Sequence, residues 1–162
     1  MSKSGPLLAV GLLLPAVAAA QGAKMSGTVV CSPPSLLHAL PVEGRPDNSY
    51  AVSQVKCTWT KPWQIGGVAS KEGVGTGTDA ISGNASQSSG TYVDTMANGD
   101  KAYYKYEASV ITKDGKPEKI SNHKWELFGG TGKMNAVKGK GTCNVTPQAD
   151  GKVVYECQGE YK

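Results

Sequence analysis

The sequence predicts an all-β domain: a single antiparallel up-and-down β-barrel of about eight strands stapled by two disulfides, with a β-sandwich as the alternative. Three observations carry this reading. Period-two alternation of apolar and polar residues dominates from Ser49 onward. Asn-Gly and Asp-Gly pairs separate the alternating stretches, at Asn98-Gly99, Asp114-Gly115 and Asp150-Gly151. Glycine occupies 21 of 162 positions, well above the usual ~7 %, and no amphipathic stretch reaches helical length. Charged residues make up only 19 %, which excludes a disordered polyelectrolyte. The formal net charge of +4 is mild and spread along the chain, so no nucleic-acid partner is expected.

The first element is an export signal, residues 1–20. Lys3 supplies a positive start, Leu7 to Ala20 is an apolar run, and Ala18-Ala19-Ala20 is a cleavage pattern before Gln21. Gly11 and Pro15 interrupt that run, which is too short for a membrane span. The expected mature protein, cut near Ala20-Gln21, is periplasmic or secreted, and no later apolar run is long enough to span a bilayer. Residues 21–48 form an N-terminal segment and a loop rich in Pro and Leu, and residues 49–162 the barrel. Pro33, Pro34, Pro41 and Pro46 argue against a strand over 32–48, although Ser35 to Leu40 could turn helically once or twice. The loop would serve as a lid or as a plug held by Leu36, Leu37 and Leu40.

Within the barrel, Ala51, Ser53, Val55, Cys57 and Trp59 form the buried face of the first strand. Gly73, Gly75 and Gly77 then share one face of the next. Thr91–Met96 and Lys101–Ile111 form a hairpin across Asn98-Gly99. A two-residue turn there sets Val93 opposite Tyr104 and Thr91 opposite Tyr106, with Ala102, Ala108 and Val110 on the same face. Asp114-Gly115 leads into a strand ending Trp125-Glu126-Leu127-Phe128. A Gly-Gly-Thr-Gly loop feeds the segment from Met134 to Thr146, and Ala149-Asp150-Gly151 makes the last, three-residue hairpin loop.

That loop fixes a register in which Cys143 opposes Cys157 at a non-hydrogen-bonded position, where side chains approach most closely. Val145, Pro147, Val153 and Tyr155 share the bridge's inward face. The pairing Cys31–Cys57 follows by elimination among four cysteines in an oxidising compartment. No metal is expected: the cysteine spacings match no zinc site and only His38 and His123 could assist.

Catalytic motifs fail on geometry. Ser53 and Lys56 fit S-x-x-K, but residues three apart on a strand face opposite ways. Gly73-Val74-Gly75-Thr76-Gly77 lacks the ending of a phosphate loop. Asp94, Asn98 and Asp100 make a hairpin turn better than a calcium loop. No catalytic residue and no cofactor is assigned. The remaining chemistry lies in the inward-facing set: Tyr104, Tyr106, Tyr155 and Val93, with His123 at the pocket rim, are the candidate ligand-binding residues. The alternating glycines remove volume from one face, permitting sharp coiling, close ring packing or an internal cavity.

Trp125-Glu126-Leu127-Phe128-Gly129-Gly130-Thr131-Gly132-Lys133-Met134-Asn135-Ala136-Val137-Lys138-Gly139 resembles the Gly-Gly-Thr-Gly-Lys-aromatic segment of small secreted bacterial β-barrels related to the allene oxide cyclase and dirigent barrels. Met134 stands where that segment carries an aromatic. The resemblance extends from about Gly73 to Tyr161. It implies an eight-stranded antiparallel barrel with an apolar cavity, often oligomeric, and no catalytic residue carries over. A shorter stretch, Val154-Tyr155-Glu156-Cys157-Gln158-Gly159, is similar to the Tyr-x-Cys-x-x-Gly strand of periplasmic lysozyme inhibitors. The leading expectation is an exported, non-catalytic barrel binding a small apolar or aromatic ligand. The alternatives are a cyclase-like or dirigent-like enzyme using Tyr104, Tyr106 or His123, and a protein-binding or inhibitor module acting through Ser32 to Asn48.

Overall fold

The computed structural model describes residues 22–162. The expected signal segment and its cleavage point at Ala20-Gln21 lie outside the described residues. Ten strands follow in order: β1 (Ala23–Cys31), β2 (Leu36–Val42), β3 (Arg45–Lys61), β4 (Gln64–Ile65), β5 (Val68–Ser82), β6 (Ala85–Met96), β7 (Lys101–Lys113), β8 (Lys116–Gly130), β9 (Gly139–Pro147) and β10 (Val153–Tyr161). A 3₁₀ turn at Gly132–Met134 is the one helical element among the described residues, and no helix there is long and apolar enough to cross a membrane.

Eight strands close the barrel, all neighbours antiparallel. β5 to β10 form a meander, β10 pairs with β1, β1 with β3, and β3 with β5. Closure removes the sheet edges that a sandwich would have to protect. The barrel therefore begins at Ala23 and not at residue 49. Met25, Val29 and Cys31 alternate inward along β1, and the strand fills the gap between the last strand and β3.

The Pro-rich segment also departs from expectation. Leu36–Val42 is a strand, neither a loop nor helical turns, and it continues the direction of β1 along the projecting half of β3. Pro41 is tolerated because β2 is an edge strand and the register shifts at Pro41/Val42. Leu36 and Leu40 are 55 % and 73 % exposed, so these leucines plug nothing. From this segment Ser32, Pro34 and Leu37 reach the barrel's cavity.

Both disulfides join directly opposed residues, Cys31 to Cys57 across β1 and β3, and Cys143 to Cys157 across β9 and β10. Each has a Cα–Cα separation of 4.0 Å, the close approach of a non-hydrogen-bonded pair. The register of the last hairpin is the expected one, with Val145 opposite Tyr155 and Gly151 at φ 83°.

The β6–β7 hairpin differs by one residue. Met96 N donates to Asp100 O at 2.9 Å and Gly99 N to Met96 O at 2.9 Å, so Ala97-Asn98-Gly99 is a three-residue loop with Gly99 at φ 88°. Tyr92 thus opposes Tyr104 and Val93 opposes Tyr103. A two-residue type I′ turn would need Asn98 at positive φ. Here Asn98 Oδ1 instead accepts from Asp100 N, and Asp100 Oδ2 accepts from Lys133 N in the neighbouring connection. That anchoring selects the longer loop, and the slip reverses both faces of β6.

Candidate ligand cavity

The two ends of the barrel are unlike. At one end the β3–β5 connection folds back inward, burying Trp63 and Ile65, while Met96, Leu127 and Met134 complete a dense cap. Toward the opposite end, where the β5–β6, β7–β8 and β9–β10 turns lie, the interior holds a cavity of about 460 Å³. Trp59, Trp63, Tyr92, Tyr104 and Trp125 line its floor, and Leu37, Ile81, Thr112 and Pro117 line its mouth.

Glycines make room for the floor. A methyl at Gly73 would overlap the Tyr92 phenol, and one at Gly77 the Tyr106 hydroxyl. Gly141 and Gly159 face each other across β9 and β10, and the Trp125 ring occupies the space their side chains would fill. The alternating glycines thus serve ring packing and the cavity together.

A β-bulge aims the eighth strand. Asn122 at φ 54° adds a residue opposite Ala108, between the pairs Glu107–Lys124 and Ser109–Ser121. Side chains of opposite parity, Ile120 before it and His123 and Trp125 after it, consequently all reach the interior.

The floor is a connected aromatic cluster. Trp63 lies 4.4 Å from Trp59, 5.2 Å from Trp125 and 5.6 Å from Tyr104 between ring centroids. Above it, His123 stacks on Tyr106 at 5.9 Å and 8°, and meets Tyr155 edge-on at 5.3 Å. Burial pulls the His123 imidazole down to about 4, so the ring is neutral near pH 7. Burial likewise holds Tyr92, Tyr104 and Tyr155 well above the usual phenol range and brings Tyr106 to about 12, so all four hydroxyls stay protonated.

Beneath the floor Asp94 is fully buried, and its Oδ1 accepts from Trp59 Nε1 at 2.9 Å. Burial lifts its carboxyl to about 6, while the nearby Ser70 hydroxyl and the bonded Trp59 N–H pull the other way. Nearer the mouth Asp79 lines the cavity and accepts from Ser88 Oγ. Several buried polar atoms find no partner among the described residues: Trp63 Nε1, Trp125 Nε1, the Tyr92 and Tyr104 hydroxyls, Asp94 Oδ2 and His123 Nδ1. Buried polar groups are ordinarily paired, so this concentration around one cavity is unusual. No group of three or more metal-ligating side chains gathers among the described residues.

Four of the five candidate residues meet here: Tyr104, Tyr106, Tyr155 and His123 all line the cavity. Val93 does not. The one-residue register slip turns it to the outer face and brings Tyr92 and Asp94 inward. Ser53 lines the cavity while Lys56 is exposed, which separates the S-x-x-K pair as strand geometry requires. Sequence reasoning missed Tyr92, Asp79 and Trp63. Trp63 had a signal: a large aromatic between Pro62 and the Gly66-Gly67 pair belongs to a connection that must bury it.

No family model and no curated protein matches this chain. Among solved structures, it is similar to a conserved protein of unknown function from Rhodopseudomonas palustris. That likeness has a TM-score of 0.52 at 9 % identity and covers 86 % of this chain and 97 % of the other. It speaks to the fold alone.

Proposed function

We propose that this chain is an exported, non-catalytic carrier that holds a small apolar or aromatic molecule inside its barrel. The observation that carries the reading is the cavity of about 460 Å³, walled by aromatic rings of which Trp63, Trp125, Tyr92 and Tyr104 have polar atoms without protein partners. Ligand sites are commonly concave, mainly apolar and furnished with a few convergent polar groups. The export half of the proposal rests on the signal pattern of residues 1–20 and on two disulfides, which persist in oxidising compartments. Kinship with the allene oxide cyclase and dirigent barrels is part of the same proposal and rests on the Trp125–Gly139 motif.

All three tryptophans of the chain line the cavity floor, so intrinsic fluorescence reports on it directly. Titration with a hydrophobic aromatic probe should quench or shift that emission saturably. Ala108→Trp, which fills the cavity from a buried wall position, should abolish the response. A probe that binds both proteins equally would place binding elsewhere. Native mass spectrometry of the exported protein would report a retained ligand, its oligomeric state and the cleavage point together.

A second reading, a cyclase-like enzyme, draws on the neutral His123 stacked against Tyr106 inside the cavity. A neutral imidazole can take up a proton and a protonated phenol can polarise a carbonyl oxygen. Turnover of a bound substrate lost in both His123→Gln and Tyr106→Phe, with binding retained, would favour it over the carrier.

A further inference from the structure

The ionisable side chains on the cavity wall are Asp79, His123 and the tyrosines 92, 104, 106 and 155. The chain carries 17 lysines and arginines, yet none lines this cavity. Where placed on the barrel wall they point to water, as in the exposed pair of Lys124 with Glu107 at 3.6 Å. With the imidazole neutral and the phenols protonated, the wall's formal charge is the single negative charge of Asp79. The floor adds the rings of Trp59, Trp63, Tyr92, Tyr104 and Trp125, and aromatic faces carry negative quadrupole potential.

We propose that the ligand is an organic cation, an ammonium or quaternary ammonium group on an apolar or aromatic body, with its charge beside Asp79 and its body descending to the aromatic floor. This rests on the carrier reading and narrows it. An anionic amphiphile of the same shape would enter an interior with no cationic side chain to meet its charge and a carboxylate to repel it. Desolvating a charge without a partner is among the costliest steps in binding. An ammonium meets one carboxylate, already oriented by Ser88, and polarisable rings. The second independent pointer is Tyr104, 2 % exposed, whose unpartnered hydroxyl at the cavity floor has an oxygen able to accept from a ligand N–H.

Three probes of one shape test this: 4-phenylbutylamine, 4-phenylbutanol and 4-phenylbutyrate, titrated at pH 7.5 against the disulfide-intact protein by tryptophan fluorescence. The amine should bind about tenfold or more tighter than the alcohol, and the butyrate more weakly than the alcohol. Asp79→Asn should bring the amine to the level of the alcohol and leave the alcohol within about twofold of its original affinity. Asp79→Ser serves if the asparagine variant does not fold, and the wild-type comparison stands without either. Equal binding of amine and alcohol, a preference for the butyrate, or an amine preference that survives loss of Asp79 would overturn the inference while leaving the carrier reading intact. Failure of all three probes would remove both.

Discussion

Trp59 Nε1 donates to Asp94 Oδ1 at 2.9 Å, tying β3 to β6 across the interior although β5 lies between them in the sheet. The carboxyl that accepts this bond is fully buried and has one oxygen without a protein partner. The barrel thus holds a costly acidic group under its aromatic floor, and a neutral imidazole higher up. Their titrations act on stability in opposite directions.

The first prediction follows from those two groups. Folding raises the Asp94 carboxyl from 3.8 to about 6, so between these values the folded state binds more protons than the unfolded. Its contribution is greatest at low pH and is lost as pH rises through about 6. Folding lowers His123 from 6.5 to about 4, so there the unfolded state binds more protons and stability falls as pH falls. Each slope amounts to about 3 kcal/mol, and in the wild type they largely cancel. Asp94→Asn should therefore gain stability from pH 4 to 6.5, and His123→Gln should lose it. Denaturant midpoints across that range check both signs; parallel profiles for the two variants would contradict the assignment.

A second prediction concerns the glycine stripe of β5. At Gly77 an added methyl meets the Tyr106 hydroxyl first and the rest of that ring only at 3.2 Å. Gly77→Ala should cost about 1–3 kcal/mol, as overpacking does. Tyr106→Phe removes the offending oxygen, so the double variant should recover most of that loss in a thermal melt. Additive losses would mean that the strain lies in the backbone.

How much of this was legible in the chain depends on what local chemistry could decide. The final hairpin was readable because its three-residue loop sets a register that brings Cys143 opposite Cys157 and turns Tyr155 inward, with no outside help. The β6–β7 hairpin carried the stronger Asn-Gly signal and was misread by one residue, because Asp100 is held by Lys133 from another connection. That tertiary bond exchanged Val93 for Tyr92 and Asp94 in the interior. The strand Leu36–Val42 was hidden for a similar reason: its proline-rich sequence disfavours a strand, and only the projecting half of β3 supplies the ladder it needs. Tyr104, Tyr106, Tyr155 and His123 converge on one cavity, but closure of the barrel, not any one stretch of sequence, brings them together.

The third prediction concerns the seam. The β1–β3 ladder runs only from Thr28–Lys61 to Cys31–Cys57 and is shifted between Thr28 and Val29, whereas β9–β10 pairs along both strands. Cys31–Cys57 clamps the weak ladder and Cys143–Cys157 a continuous one. Replacing the first pair by serine or alanine should cost about 2–4 kcal/mol and speed amide exchange selectively in β1 and the end of β3. Replacing the second should lower stability without opening that seam. Hydrogen exchange read by mass spectrometry separates the two; faster exchange confined to β9 and β10 in the first variant would refute the seam.

The last prediction tests the bulge that gives the cavity its eighth-strand lining. Asn122 holds φ 54°, a conformation asparagine tolerates and a β-branched residue does not. Asn122→Gly should leave stability unchanged or raise it by up to about 1 kcal/mol, and Asn122→Val should lower it by about 1–2 kcal/mol. Deleting Asn122 is more severe because side-chain direction alternates along the strand. Either Ile120 or the set His123, Trp125 and Leu127 would then face water, and Trp125 packs over Gly141 and Gly159 where no other strand residue can replace it. The deletion should therefore red-shift tryptophan emission and abolish probe binding, while Asn122→Gly retains both. Retention of native emission and binding in the deletion variant would show that the bulge is dispensable for aiming His123 and Trp125 inward.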